Sequence, residues 1–432
     1  AVPPVVEELV CVATSATVAA LPASAKEEIK VGIVTFLSGP AAGPFGVPGQ
    51  QGAELVIEAI NAGELPEPYN TPGFAGATLS PIFVDEAGGN TKQVAEYRNL
   101  VQKQGVDTVI GYISSGSCLS VAPVAEELKT LTIIPVCGSP RLFEDGGKDY
   151  VFRTTGHAVG DGVAAALYVR DMLGGDKPYT GINQNYAWGQ DSYKFFDLAM
   201  KTINPESKAS DNPQFPKIFA GQFGTEISTL SLDPAPLVHS SFWDGDMEAF
   251  VLQATVRGFF QQKIFVSTLG ASAVDRLGKR FPEGVVMGTR GEYGLLVREL
   301  DTPLNSWFVN HYKEKFGDYP LGPSYQYAQA ILALKIAMDN AAKAEGGFPS
   351  QDQVIKAMNG LEWDSFGGRI SMSLGDGHQA VHPVGYGITS WDSDKGEPVA
   401  KDVKFYPADC IMPPKGQTGL EWLEVGMPGS SC

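Results

Sequence analysis

Basic charge is what this sequence has least of for its size. Its 432 residues carry 32 Lys and Arg against 49 Asp and Glu, a formal net charge of −17. No dense Lys/Arg cluster interrupts that balance. A face that binds nucleic acid must neutralise phosphates, so no nucleic-acid partner is expected. The same acidic surface repels anionic lipid headgroups. No uninterrupted apolar run of about 18 residues occurs, so no direct membrane insertion is expected either. Charged residues make up only 19% of the chain and hydrophobic residues 43%, which suits a packed protein rather than a disordered one. A single hydrophobic core is hard to extend over this length, so two domains are expected.

The residues of catalysis and metal binding are also scarce. There are five histidines: His157, His239, His311, His378 and His382. None sits in H-E-x-x-H. His378 and His382 are four apart, but in the Gly-rich stretch GDGHQAVHP, with no helical pattern and no third ligand. No G-x-S-x-G elbow and no G-x-x-x-x-G-K-[ST] loop is present, and Gly43, Gly46 and Gly49 do not keep the dinucleotide spacing. DSDKG at Asp392 is too short for a calcium loop and reads as a hairpin turn. The expectation is no catalytic residue, no metal and no cofactor.

The five cysteines contain no C-x-x-C pair, which excludes a zinc ribbon or thioredoxin motif. Cys118 and Cys137 flank one helix and the strand after it, at one sheet edge. A disulfide and two buried thiols both suit that placement. Cys410 and Cys432 are positioned to close the C-terminal tail. Disulfides would put the protein outside the cytoplasm. The segment LVCVATSATVAALPASA ends in small residues before Lys26, like a secretory signal cut after Ala25. Its front lacks a basic region and carries Glu7 and Glu8, so a signal remnant and an N-terminal extension both stand for 1–28. Cys11 follows Val10, where a lipid-attachment site calls for a small residue.

What the chain does have is alternation. IKVGIVTFL, LSPIFVDE, DTVIGYIS and LTIIPVC read as buried parallel strands. Between them lie helices with apolar stripes at Ala53, Val56, Ile57 and Ile60, at Val94, Tyr97 and Val101, and at Val121, Val124 and Leu128. This order builds a doubly wound parallel sheet. After TTGHAVGDG the pattern restarts. YTGINQN, KIFAGQFG, LVHSSFW, KIFVSTL and EGVVMGT read as strands of a second sheet, with helices between them. Tyr327, Ala330, Ile331, Leu334 and Met338 make a later core stripe. FGGRISMSL, VGYGITSW and VAKDVKFYP look like hairpin strands. The fold class is α/β, with two doubly wound parallel-sheet lobes.

Ligands of open α/β sheets bind at the C-terminal ends of the strands. There the first half places LSGPAAGPFG, SSGSC and CGSPR. Ser114, Ser115, Gly116 and Ser117 open a helix, where free N–H groups and the dipole favour an oxygen. A single serine would suffice as an N-cap, so the extra hydroxyls point to a ligand. At matching ends the second half carries Tyr186 and Trp188, then Phe242 and Trp243. Aromatic walls with a few oriented polar groups are the usual make-up of a small-molecule site.

The opening IKVGIVTFLSGPAAGPFGVPGQQGAELVIEAINAG, then VIGYISSGSCLSVAPVAEELK, IIPVCGSPRLF with YVFRTT, NYAWGQD and GPSYQYAQAILAL, resemble one family in this order. It is the periplasmic solute-binding proteins of ABC importers, in the branched-chain amino acid and amide group with the type I binding-protein fold. The resemblance spans residues 29–338. It implies a three-crossing hinge, with 29–155 plus 290–360 as lobe one, 156–289 plus 361–410 as lobe two and 411–432 as a tail. It also implies a periplasmic, monomeric, non-enzymatic receptor that hands a small organic solute to an ABC permease. A ligand sensor of the same fold and, further off, an enzyme are the alternatives. The family's carboxylate-binding serine loop falls on Ser115, Gly116 and Ser117, and its second polar loop on Gly138 and Ser139. Its aromatics fall on Phe45, on Trp188 and on Phe242 or Trp243. Tyr325 in the last segment joins the candidate set. Amino-acid-binding members place an acid after the strand equivalent to KIFVST, where this chain has Leu269. A buried ammonium without a counter-charge is costly. A plain amino acid would then need Glu292 or Asp244 as a substitute, and a carboxylate without an amine, or an amide, fits better.

Overall fold

Apolar runs bounded by turn residues bury both faces of the strands they form, and two separate sheets result. The structure is a computed structural model and describes residues 26–432, so the leader-like segment and Cys11 lie outside the described residues. The first sheet begins with β1 (Glu28–Thr35), β2 (Thr78–Asp85), β3 (Thr108–Ile110), β4 (Thr132–Ile134) and β5 (Val151–Arg153). The second holds β6 (Tyr179–Ile182), β7 (Leu237–Ser240), β8 (Ile264–Ser267) and β9 (Val286–Gly288). Beyond these lie β10 (Glu362–Asp364), β11 (Arg369–Leu374), β12 (Gln379–Val381), β13 (Val384–Asp392) and β14 (Glu397–Tyr406).

The first sheet runs β10-β11-β12-β5-β4-β3-β1-β2 and the second β14-β13-β9-β8-β7-β6. Pairing is parallel within β1–β5 and within β6–β9, and antiparallel in the late hairpins. Two expectations change here. Residues 361–381 pair with the first sheet through β12 and β5, so they leave lobe two, and the chain changes sheets at His382–Pro383 instead. KIFAGQFG is an irregular segment. Prolines at 213 and 216 and glycines at 221 and 224 break it up. Asp246 holds it by accepting from the N–H groups of Phe219 and Gly221 at 2.6 and 2.9 Å.

Helices cover both faces of the first sheet. Gly322–Glu345 is buried almost all round, and its expected stripe of Tyr327, Ala330, Ile331, Leu334 and Met338 lies in the core. It packs on Val47–Ala62 closely enough that a Cβ at Gly52 would stand 2.2 Å from the Ser324 carbonyl oxygen. Cys118 and Cys137 are disulfide-bonded with Cα atoms 6.4 Å apart, and Cys410 is bonded to Cys432. The tail packs on lobe two through Ile411, Met412 and the fully buried Trp422, and the N–H of Gly419 donates to Glu144 of lobe one at 2.7 Å.

Three chain crossings join the sheets: β5 to the helix Ala158–Leu173, β9 to the helix Pro303–Phe316, and β12 to β13. They bond to one another. His382 Nε2 of the third crossing accepts the N–H of Gly156 in the first at 2.7 Å, while its Nδ1 lies 2.9 Å from the Pro383 carbonyl. That geometry fits the neutral ring protonated on Nδ1. Burial agrees, lowering the His382 pKa to about 4.

Gly52→Ala should lower the unfolding free energy by ~1–3 kcal/mol, the usual cost of overpacking a close contact. Urea denaturation followed by circular dichroism measures it.

Candidate functional site

The C-terminal ends of the parallel strands in both sheets face each other across the three crossings, so the loops after them meet. After β1 a short π-helical turn, Ala42–Gly46, carries Phe45 into the interface. After β3 the helix Ser115–Leu128 starts with Ser114 as N-cap and no capping side chain. After β4 comes Gly138. From the second sheet come Tyr186 and Trp188 after β6, Trp243 after β7 and Leu269 after β8. These residues and Ser115, with Ile113, Val136 and Arg290, line a tight cavity between the lobes. A neighbouring void shares Phe45 and Leu269 and reaches Ser272, Asp275, Thr289 and Gln326.

The aromatic residues form a connected wall. Phe45 meets Trp243 edge-on, with ring centroids 4.9 Å apart and planes at 76°. Trp243 Nε1 donates to the Tyr186 hydroxyl at 2.8 Å, and Trp188 Nε1 donates to the Ser241 carbonyl at 2.9 Å. Both indole N–H groups are therefore satisfied within lobe two, which fixes the rings before anything enters the cavity. Burial holds the Tyr186 hydroxyl in its protonated form, far above the usual phenol range.

Contacts across the interface close the cleft. The N–H of Gly245 donates to the Pro40 carbonyl at 3.2 Å. Asp191 of lobe two accepts from the Ser139 hydroxyl at 2.6 Å and from Arg141 Nε and Nη2 at 3.0 and 2.6 Å.

The expected residues divide accordingly. Phe45, Ser115, Gly138, Tyr186, Trp188, Trp243 and Leu269 come together on the cavity wall. Gly116 and Ser117 follow Ser115 in the first turn of the helix but are not among the residues that line the cavity, and Gly116 lies beside Asn90. Behind that turn, buried Glu86 accepts the N–H groups of Ile113 and Ser114, both at 2.8 Å. Burial nevertheless raises its pKa to about 8.

Five residues lie elsewhere. Ser139 is committed to Asp191. Phe242 points the opposite way from Trp243, into the lobe-two core against Phe223 and Phe250. Tyr325 packs on Phe308 and Phe366 within lobe one. Glu292 turns away against Gly367 and Gly368, where burial raises its pKa to about 7. Asp244 caps the helix Gly245–Val256 and accepts from Gln184 at 3.0 Å. Burial and its neighbour Asp246 push its pKa up to about 8. Neither acid is among the residues that line the cavity with Leu269, and the adjoining void carries one carboxylate, Asp275, paired with Arg298.

Arg290 was not anticipated. It sits on the second crossing in a left-handed backbone conformation, φ 45°, and is 1% exposed. Its Nε donates to Asp161 at 2.8 Å and its Nη1 to the Val136 carbonyl at 2.6 Å. Its guanidinium lies 4.3 Å from the centre of the Trp188 ring. Burial raises the Asp161 pKa, and the Arg290 charge opposes that rise. The one available signal was an arginine held between a strand end and glycine, in GTRGEY. A Cβ at Gly138 would come within 2.2 Å of Arg290 Nη2. Gly138→Ala should therefore displace the guanidinium and cost ~1–3 kcal/mol of stability. Gly147→Ala, in open space, should stay within ~0.5 kcal/mol. Urea midpoints of the two variants decide this.

Comparison with known proteins gives a consistent picture. A family model described as periplasmic binding protein matches residues 28–396. The leucine-specific-binding protein of Salmonella typhimurium is 25% identical over 392 residues, covering 87% of this chain and 94% of that protein. Among solved structures, a solute-binding protein of an ABC transporter from Rhodopseudomonas palustris, in complex with 3,4-dihydroxybenzoic acid, superposes with a TM-score of 0.73. It is 19% identical, over 89% of this chain and 98% of that one. The branched-chain amino acid transporter substrate-binding protein of Streptococcus pneumoniae, in complex with isoleucine, superposes with a TM-score of 0.71 at 18% identity, over 88% and 100% of the two chains.

Proposed function

This chain belongs to the periplasmic binding protein family, and from that premise we propose that it captures one small organic solute in the cleft between its lobes and presents it to an ABC permease. It is a solute-binding protein of the ABC-transporter kind. The observation that carries the site is joint construction. Phe45, Ser115 and Gly138 of lobe one and Tyr186, Trp188, Trp243 and Leu269 of lobe two wall a single cavity.

Such a wall favours binding that closes the lobes. A solute touching both lobes binds the closed form more tightly than the open one, and that difference in affinity sets the population shift. A permease that recognises the closed form would then read occupancy. The proposed setting is the periplasm and the proposed working unit a monomer. Two disulfides suit an oxidising compartment.

The cavity's composition narrows the solute. Four aromatic side chains would cover a ring or a branched aliphatic body, and Ser115 with the uncapped start of its helix would hold an oxygen. The relatives bracket that range, with leucine or isoleucine on one side and a hydroxylated benzoate on the other. Nothing in this wall pairs an acid with a base or holds a nucleophile beside one, and the proposed role involves no chemistry on the solute.

A thermal-shift screen of amino acids, aliphatic and aromatic carboxylates, amides and urea should return stabilising solutes of one class. Trp243→Ala should then weaken the best of them by at least ~10-fold in calorimetric titration, from lost aromatic contact and an unpaired Tyr186 hydroxyl. Unchanged affinity would remove the cleft as the site.

A further inference from the structure

We propose that Arg290 is the anion anchor of this cleft and that the solute is a carboxylate without an amino group. The proposal rests on the cleft being the solute site.

The guanidinium is held on three sides and lacks a partner on the fourth. Nε is taken by Asp161 and Nη1 by the Val136 carbonyl, while Nη2 is buried with no hydrogen-bond partner, as are Asp161 Oδ1 and Arg153 Nη2. The Trp188 face fixes its plane at 4.3 Å. Gly138 lines the cavity and leaves, by lacking a Cβ, the space that Nη2 occupies. A buried charged donor without an acceptor is costly, and such orphans in a native protein call for a missing partner.

The surrounding charges favour a negative partner. Arg290 and Arg153 are both buried at the hinge, and Asp161 is the one carboxylate in contact with Arg290. Glu144 lies on the Arg153 side, where it accepts from Gly419. A carboxylate entering the cavity would give Nη2 the charged acceptor it lacks. Its other oxygen would lie toward Ser115 on the same wall. An α-ammonium in the same space would face a guanidinium, and the acid of the adjoining void, Asp275, is already paired with Arg298.

Backbone conformation supports the assignment independently. A residue with a side chain at φ 45° is disfavoured by ~1 kcal/mol or more, and such strain collects at binding sites. Gly291 follows at φ 128°, so the crossing is bent at just the point that turns Arg290 inward.

Two ligand pairs, titrated calorimetrically into the wild-type protein, separate the charge from the amine. Benzoate should bind at least ~100-fold more tightly than benzamide, and 4-methylpentanoate at least ~100-fold more tightly than L-leucine, which differs by the ammonium alone. Arg290→Gln should abolish the preference for benzoate over benzamide, read as the ratio of the two affinities within the same variant. Removing the arginine orphans Asp161, so the charge-neutral double variant Arg290→Gln with Asp161→Asn repeats the test if the single variant fails to fold. Equal binding of benzoate and benzamide, or a preference for L-leucine, would overturn the anion anchor and leave the cleft reading intact. Failure of all four ligands, together with a flat thermal-shift screen, would overturn both.

Discussion

A guanidinium taken out of water holds the two lobes in register. Arg290 reaches from the second crossing to Val136 in lobe one and to Asp161 at the start of lobe two's first helix. A buried ion pair adds little net stability by itself, because desolvation offsets most of the attraction. Breaking one half of it is what costs, since the remaining charge stays buried. The pair therefore acts as a constraint on geometry more than as a source of stability. Trp188, Gly138 and the cavity wall are all arranged around where the guanidinium must sit.

The two lobes bring different chemistry to that wall. Lobe one supplies small and polar groups at the strand ends and at the start of a helix. Lobe two supplies indole and phenol rings whose N–H groups are already bonded within the lobe. Each half is thus organised separately, and neither has to be remade when the other arrives. The hinge that joins them is itself cross-linked, with His382 of one crossing bonded to Gly156 of another.

Much of this architecture is legible in the sequence. Buried parallel strands are short apolar runs, so β1 to β4 and β6 to β9 stand out, and the loops after them follow from sheet topology. KIFAGQFG misleads because its apolar residues mimic a strand while the prolines and glycines around them prevent pairing. Phe242 and Trp243 are adjacent, and which of them faces the cavity depends on the direction of one backbone step that composition does not encode. Tyr325 belongs to a helix buried on nearly every face, where no stripe separates core from site. Residues 361–381 are hairpin-like locally, and their sheet is decided by the distant β5. Arg290 carries no motif because its role is made by residues at 136, 138, 161 and 188, which only folding brings together.

The clasp between Asp191 and the pair Ser139 and Arg141 has a thermodynamic corollary. It forms between the lobes without involving the cavity, so it favours closure equally whether the pocket is empty or filled, and whatever fills it. Altering it would rescale the apparent affinity for every solute by one common factor while leaving their ranking untouched. Sensitivity and selectivity are in that sense written into different residues, and a descendant of this protein could be retuned to scarcer or richer surroundings without changing what it recognises.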